Sequence, residues 1–182
     1  HKNIFSLIGG PLGTFSPDTI KDKYVDGVCQ GEAEEAMPEL IDALEKGKDI
    51  SGILNLSVKV DGKTFVNKVR PPIKDINTID FPDREIFAHK KQPGGLYNVL
   101  EGRGCPYNCT YCHNKRYKEI FDLNAGYINF RSIDNICEEL KGLKKTHNPS
   151  MFQFVGDHFF IKIKNLEELA EKYPKEVGVP FI

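Results

Sequence analysis

The sequence predicts an α/β protein in two successive parts, a doubly wound sheet followed by the opening of a parallel (β/α) barrel. Three observations carry this: short continuous apolar runs, amphipathic stripes of helical period between them, and glycine or proline punctuation after each run. In order, Ile4 to Ile8 reads as a buried parallel strand closed by a tight Gly9-Gly10-Pro11 loop. Thr14-Phe-Ser-Pro-Asp18 begins a brief helical turn, and Tyr24 to Val28 reads as a second strand. A helix follows Gly31-Glu32, with Met37, Leu40, Ile41 and Leu44 on one apolar face, acidic residues at its positive end and Gly47 as its stop. Ile53 to Val60 and Lys63 to Val69 flank Asp61-Gly62, the dipeptide suited to a type I′ hairpin turn.

Residues 62–95 read as a hairpin arm and linker without helical or alternating period, with Gln92-Pro-Gly-Gly95 as the last joint. Residues 1–61 and 96–182 are the expected domains on either side. From Tyr97 a second α/β run begins, with a strand to Leu100 whose end delivers a cysteine-rich loop. Ile133, Ile136, Cys137, Leu140 and Leu143 make a helical stripe with Ser132 as N-cap and lysines near its negative end. Met151 to Val155 is the next strand, Asn165 caps a helix carrying Leu166, Leu169 and Tyr173, and Val177 to Ile182 is a further strand. In such a barrel the functional groups stand at the C-terminal strand ends.

The chemistry lies in Arg103-Gly-Cys-Pro-Tyr-Asn-Cys-Thr-Tyr-Cys-His113. Cys105, Cys109 and Cys112, spaced C-x3-C-x2-C, can meet three corners of an iron–sulfur cube. A cube normally takes four thiolates, so one iron is left for another ligand. Two other readings stand beside this. Cys105, Cys109, Cys112 and His113 are also four soft ligands for zinc. Against zinc, adjacent residues seldom point at one metal, and no second CxxC or HxxH lies nearby. Disulfides suit an odd count of five cysteines poorly.

With 182 residues, 40% of them hydrophobic, the chain can bury at least one core. A formal net charge of -1 gives no electrostatic case for nucleic acid. No apolar stretch approaches the ~20 residues needed to span a bilayer. The composition suits a cytoplasmic protein. His1 is not a start residue, and the strand at Ile4 has nothing before it to pair with, so a window from a longer polypeptide is expected.

The cysteine run, with its Arg-Gly lead-in, the Pro after the first Cys and Tyr111 before the third, resembles the signature of radical S-adenosylmethionine enzymes. The resemblance implies a [4Fe–4S] cluster on Cys105, Cys109 and Cys112. Its open iron is chelated by the amino and carboxylate groups of S-adenosylmethionine, and reduction cleaves that molecule to a deoxyadenosyl radical. It further implies a small-molecule substrate and an electron donor such as flavodoxin or ferredoxin. Tyr111 resembles the family aromatic whose backbone lies near the adenine, while its ring could equally pack the loop. Val155-Gly-Asp-His-Phe159 stands where relatives often carry two acidic residues facing the methionine moiety. Here Gly156 and Asp157 take those places, with one carboxylate missing.

Ile8-Gly-Gly-Pro11, Thr14-Phe-Ser-Pro-Asp18 and Gly31-Glu32 are similar to the C-terminal half of a Rossmann-like (flavodoxin-like) cobalamin-binding domain. Asp80-Phe-Pro-Asp-Arg84 resembles the joint to the barrel in those proteins. The resemblance implies that Gly9 and Gly10 flank the corrinoid's nucleotide tail, where the lack of a Cβ leaves room. The lower-ligand motif D-x-H-x-x-G is absent, and His1 is not assigned to that role. Methyl transfer or a carbon-skeleton rearrangement is the implied reaction. The alternatives are a cobalamin-independent radical enzyme such as a methylthiotransferase, or a zinc-stabilised binding module. Methylthiotransferases carry an N-terminal cysteine cluster, and residues 1–95 offer only Cys29. Cys137 reads as core, Lys115-Arg-Tyr-Lys118 as a solvated basic loop, and His158 as a structural or solvent-facing residue at a strand end.

Overall fold

The computed structural model describes residues 4–87, 95–124 and 126–182. His1 and most of the Gln92-Pro-Gly-Gly95 joint lie outside the described residues. Contacts divide the chain into two units, His1–Ile73 with Thr110–Leu123, and Lys74–Cys109 with Asn124–Ile182.

The first unit is built on a four-stranded sheet in sequence order: β1 (Leu7–Ile8), β2 (Gly27–Cys29), β3 (Leu56–Val60) and β4 (Lys63–Val66). β1 and β2 are parallel, whereas β2 and β3 and then β3 and β4 are antiparallel. The doubly wound pattern therefore holds for the first pair alone, and the sheet closes as an antiparallel hairpin. Its turn is the one Asp61-Gly62 predicts, both residues having positive φ of 49° and 75°. The second hairpin strand, expected as part of an arm, is the exposed edge of this sheet.

Gly9-Gly10-Pro11 does not make a loop. Gly9 is the N-cap and Gly10 and Pro11 begin α1 (Gly10–Phe15), because proline's fixed φ suits a first helical turn. A 3-10 turn, Pro17–Lys21, follows. The helix after Gly31 is α2 (Ala36–Glu45), and Gly47, at φ 60°, ends it while Lys48 N–H bonds the Ala43 carbonyl at 2.8 Å. Its buried face is Ala36, Leu40 and Ala43, while Ile41 and Leu44 are 49% and 43% exposed. The stripe is thus rotated from the expected one, since small alanines let the helix lie close to the sheet. That face joins Cys29, Ile50, Ile53, Leu56 and Val58 in the core. Arg70 ties the chain after β4 to this helix, meeting Glu35 at 3.0 Å and Glu39 at 2.7 Å.

The basic run expected as a solvated loop is helical instead, forming α3 (His113–Ile120) with Lys118 buried. Phe121, just past its end, fills the space beside Gly31, and a Cβ there would overlap the ring.

In the second unit β5 (Leu96–Val99) pairs in parallel with β8 (Met151–Phe154). Phe152 bridges in parallel to Phe181, so the final segment lies along β8 as the predicted next strand, reduced to one bridge. Between them run β6 (Gly102–Gly104), β7 (Ile128–Phe130), α4 (Ile133–His147) and, after β8, α5 (Ile163–Glu176). β6 and β7 form an antiparallel pair that the sequence did not signal. The predicted stripe of α4 is wholly buried, and Ser132 caps it by accepting the Asn135 N–H at 3.2 Å. Lys162, not Asn165, is the N-cap of α5, which starts earlier than expected. Leu169 and Tyr173 pack with Tyr97, Val99, Phe152 and the α4 stripe into one core.

Arg131 and Glu139 form a buried ion pair at 2.6 Å. Arg131 also donates to Asn135 Oδ1 at 2.6 Å and to the Leu100 carbonyl at 3.0 Å. Arg84, from the predicted joint, reaches Glu139 at 3.4 Å and the Asn98 carbonyl at 2.9 Å. The joint is therefore strapped onto the strand end and α4 rather than standing free.

Candidate functional site

The lead-in to the cysteines is shaped by close packing. Gly102 lies against Phe130, where a Cβ would sit 2.6 Å from its ring. Gly104 takes φ 90°, and a Cβ there would sit 2.7 Å from the Tyr127 ring. Both the conformation and the space demand glycine, which gives the Arg-Gly lead-in a structural reason.

None of the five cysteines is in a disulfide. Cys105 is buried at the end of β6, and Cys109 is exposed further along the loop, both in the second unit. Cys112 is half-buried and is the N-cap of α3 in the first unit. Among the described residues no three Cys, His, Asp or Glu side chains are gathered around a metal position. The donor set itself fits a cluster: three thiols on one short segment, ending at a helix N-terminus whose N–H groups favour negative charge. His113, the fourth ligand of the zinc reading, is the first residue of α3, and its ring tilts against Phe15 at 5.7 Å.

Tyr111 is 92% exposed, so its ring does not pack the loop. Gly156 and Asp157 follow β8 after Val155, Asp157 exposed and Gly156 half-buried. His158 is half-buried, and its ring meets Tyr107, from the cysteine loop, edge to face at 5.1 Å. Cys29 and Cys137 are both in cores, and burial pushes each thiol's pKa up.

The residue that sequence reasoning missed is Glu101. It is 2% exposed, and its Oε2 accepts the Gly156 N–H at 3.0 Å. Burial pushes its carboxyl pKa up. Hydrogen bonds from its own backbone and from Gly156 oppose the rise, Asp157 adds to it and Arg131 opposes it. Nothing in the sequence marks it, since a Glu beside Gly-Arg-Gly reads as surface until β5 and β8 are paired.

At the other expected site, Gly10 has φ 64°, and a Cβ there would meet no heavy atom within 4 Å, whereas a Cβ on Gly9 would stand 3.9 Å from that of Cys29, an ordinary contact. The glycine under real steric demand is Gly13, where a Cβ would fall 2.5 Å from the Cys29 carbonyl oxygen. Thr14 beside it is buried and its Oγ1 accepts the Gly31 N–H at 3.0 Å, which connects α1 to the Gly31 turn.

No family model matches the chain. An uncharacterized methyltransferase of Pyrococcus horikoshii is 30% identical over 97% of this chain and 38% of its own length. The apo structure of OxsB, a cobalamin-dependent S-adenosylmethionine radical enzyme, superposes with a TM-score of 0.70 at 18% identity. That match covers 96% of this chain and 25% of OxsB. The structure of the radical S-adenosylmethionine methyltransferase TsrM from Kitasatospora setae, with cobalamin and a [4Fe-4S] cluster bound, gives 0.64 at 15% identity. There the match covers 93% of this chain and 33% of TsrM. The fold is therefore that of cobalamin-dependent radical S-adenosylmethionine enzymes over the part the chain spans. The likeness read from the cysteine run and the glycine pair agrees with it, and the chain corresponds to roughly a quarter to two-fifths of these proteins. Among the described residues no helix is long and apolar enough to cross a membrane.

Proposed function

We propose that this chain belongs to a cobalamin-dependent radical S-adenosylmethionine enzyme that transfers a methyl group to a small-molecule substrate. The observation that carries the reading is the set of three cysteines, none in a disulfide, following the end of β6. Cys105, Cys109 and Cys112 would hold a [4Fe–4S] cluster, Gly9 and Gly10 would lie against cobalamin, and Tyr111, Gly156 and Asp157 would contact S-adenosylmethionine. Bound there, the cluster would supply the electron for cleaving the sulfonium and the corrinoid would supply a methyl carrier. The chain's own work is positional. Gly102 and Gly104 let β6 press against β7 and so set where Cys105 stands. The Tyr107–His158 ring contact ties the cysteine loop to the end of β8. A flavodoxin or ferredoxin in the cytoplasm is the proposed electron source.

Anaerobic reconstitution of the full-length protein tests this. About four irons with matching sulfide, a brown absorbance altered by S-adenosylmethionine, and retained corrinoid are the expected results. Stoichiometric colourless zinc would refute the reading.

A further inference from the structure

We propose that Glu101 is a positioning residue for Asp157, holding the peptide that presents the Asp157 carboxylate at the end of β8. The proposal rests on the reading of that strand end as the S-adenosylmethionine site.

The geometry starts with β5 and β8. They run parallel in the register Val99 to Phe154, and Val155 N–H continues the ladder to the Val99 carbonyl at 3.0 Å. Immediately beyond, one chain leaves through Leu100-Glu101 and the other through Gly156-Asp157. Glu101 turns back into this junction and takes the Gly156 N–H on Oε2. A Cβ at position 156 would overlap Oε1 and the carboxyl carbon, and would lie 2.8 Å from Oε2. A side chain at 156 would therefore require the buried Glu101 carboxylate to move out of this place.

A merely structural plug would be apolar. Burying a carboxylate costs free energy unless it is fully hydrogen-bonded, and here Oε1 meets no donor among the described residues. An incompletely satisfied buried group asks for a reason, and the adjacent peptide supplies one. Fixing the Gly156 N–H fixes the direction in which the chain continues, and the next side chain is the exposed Asp157. The same burial that raises the Glu101 pKa makes its acceptor oxygen a strong partner for that N–H.

The test uses the full-length protein, reconstituted anaerobically, with S-adenosylmethionine affinity read from the cluster's electron paramagnetic resonance and iron counted in parallel. Glu101→Ala should weaken affinity at least about tenfold with iron content unchanged, the loss expected for one charge-assisted hydrogen bond. Glu101→Gln retains an acceptor oxygen and should stay within about threefold. Asp157→Asn should weaken binding, and adding Glu101→Ala to it should cause little further loss, because the first residue acts through the second. Gly156→Ala should lower the melting temperature of metal-free protein, and Glu101→Ala should relieve that loss by vacating the space. Wild-type affinity in Glu101→Ala, or multiplying effects of Glu101→Ala and Asp157→Asn, overturns the proposal alone. Wild-type protein that takes up a cluster yet ignores S-adenosylmethionine overturns the site reading, and the proposal with it.

Discussion

Glu139→Ala offers a direct measure of what holds the second unit together. The side chains of Arg131 and Glu139 are only 10% and 4% exposed, and their ion pair is 2.6 Å long. Breaking a buried pair by deleting one partner costs about 3–5 kcal/mol, since the other charge is stranded. Arg131 would keep Asn135 Oδ1 at 2.6 Å and the Leu100 carbonyl at 3.0 Å, so the lower end applies, about 3 kcal/mol. At about 2–4 °C per kcal/mol for a chain of this size, the melting temperature should fall by about 6–12 °C. Circular dichroism melts would read it, with Arg131→Met in the same background as the control. Removing both charges should restore part of the loss, because Arg131 is then no longer stranded, although Arg84, 3.4 Å from Glu139, still loses that partner. A fall of less than about 2 °C for Glu139→Ala, or a double variant losing the sum of both single losses, would refute the reasoning.

Three further outcomes are expected. Serine at Cys105, Cys109 or Cys112 should each abolish retention of the cluster iron in reconstituted protein, whereas serine at Cys29 or Cys137 should not; iron and sulfide analysis decides this. In metal-free protein, iodoacetamide at mildly alkaline pH should label the exposed Cys109 first and Cys29 and Cys137 last, because burial keeps the latter two protonated and out of reach. Mass-spectrometric mapping over time checks the order. Tyr173 donates its hydroxyl to the Val179 carbonyl at 2.6 Å, and burial pushes its pKa up to about 12. The folded state then keeps that proton longer than the unfolded chain, whose tyrosine titrates near ~10. Its contribution is complete below about pH 10 and declines as pH rises toward about 12. Denaturant titrations of Tyr173→Phe should lose that alkaline slope, at a cost of about 1 kcal/mol at neutral pH.

Much of the fold was legible because it is local. The stripe from Ile133 to Leu143 and its Ser132 cap, the Asp61-Gly62 turn and the Gly47 stop each depend on a few neighbouring residues, and each stands where expected. The misreadings share another cause. Which face of α2 is buried depends on how close the sheet lies, and there Ala36 and Ala43 displaced Ile41 and Leu44. The run at Lys115 became helix once it packed in its unit, and β6 exists only because Tyr127 to Phe130 lie beside it. The candidate site divides in the same way. The proposed ligands Cys105, Cys109 and Cys112 stand out by their spacing alone, whereas Glu101 was invisible.

On its own, the sequence determined the α/β class and the turn and cap positions, since these follow from side-chain type and short-range geometry. Tertiary structure alone decided that Gly104 must be glycine, that His158 meets Tyr107 and that Glu101 fills the space at Gly156. Those contacts join residues from about 23 to 55 positions apart, and a pairing at that range is written in the packing of two surfaces, which no local pattern encodes.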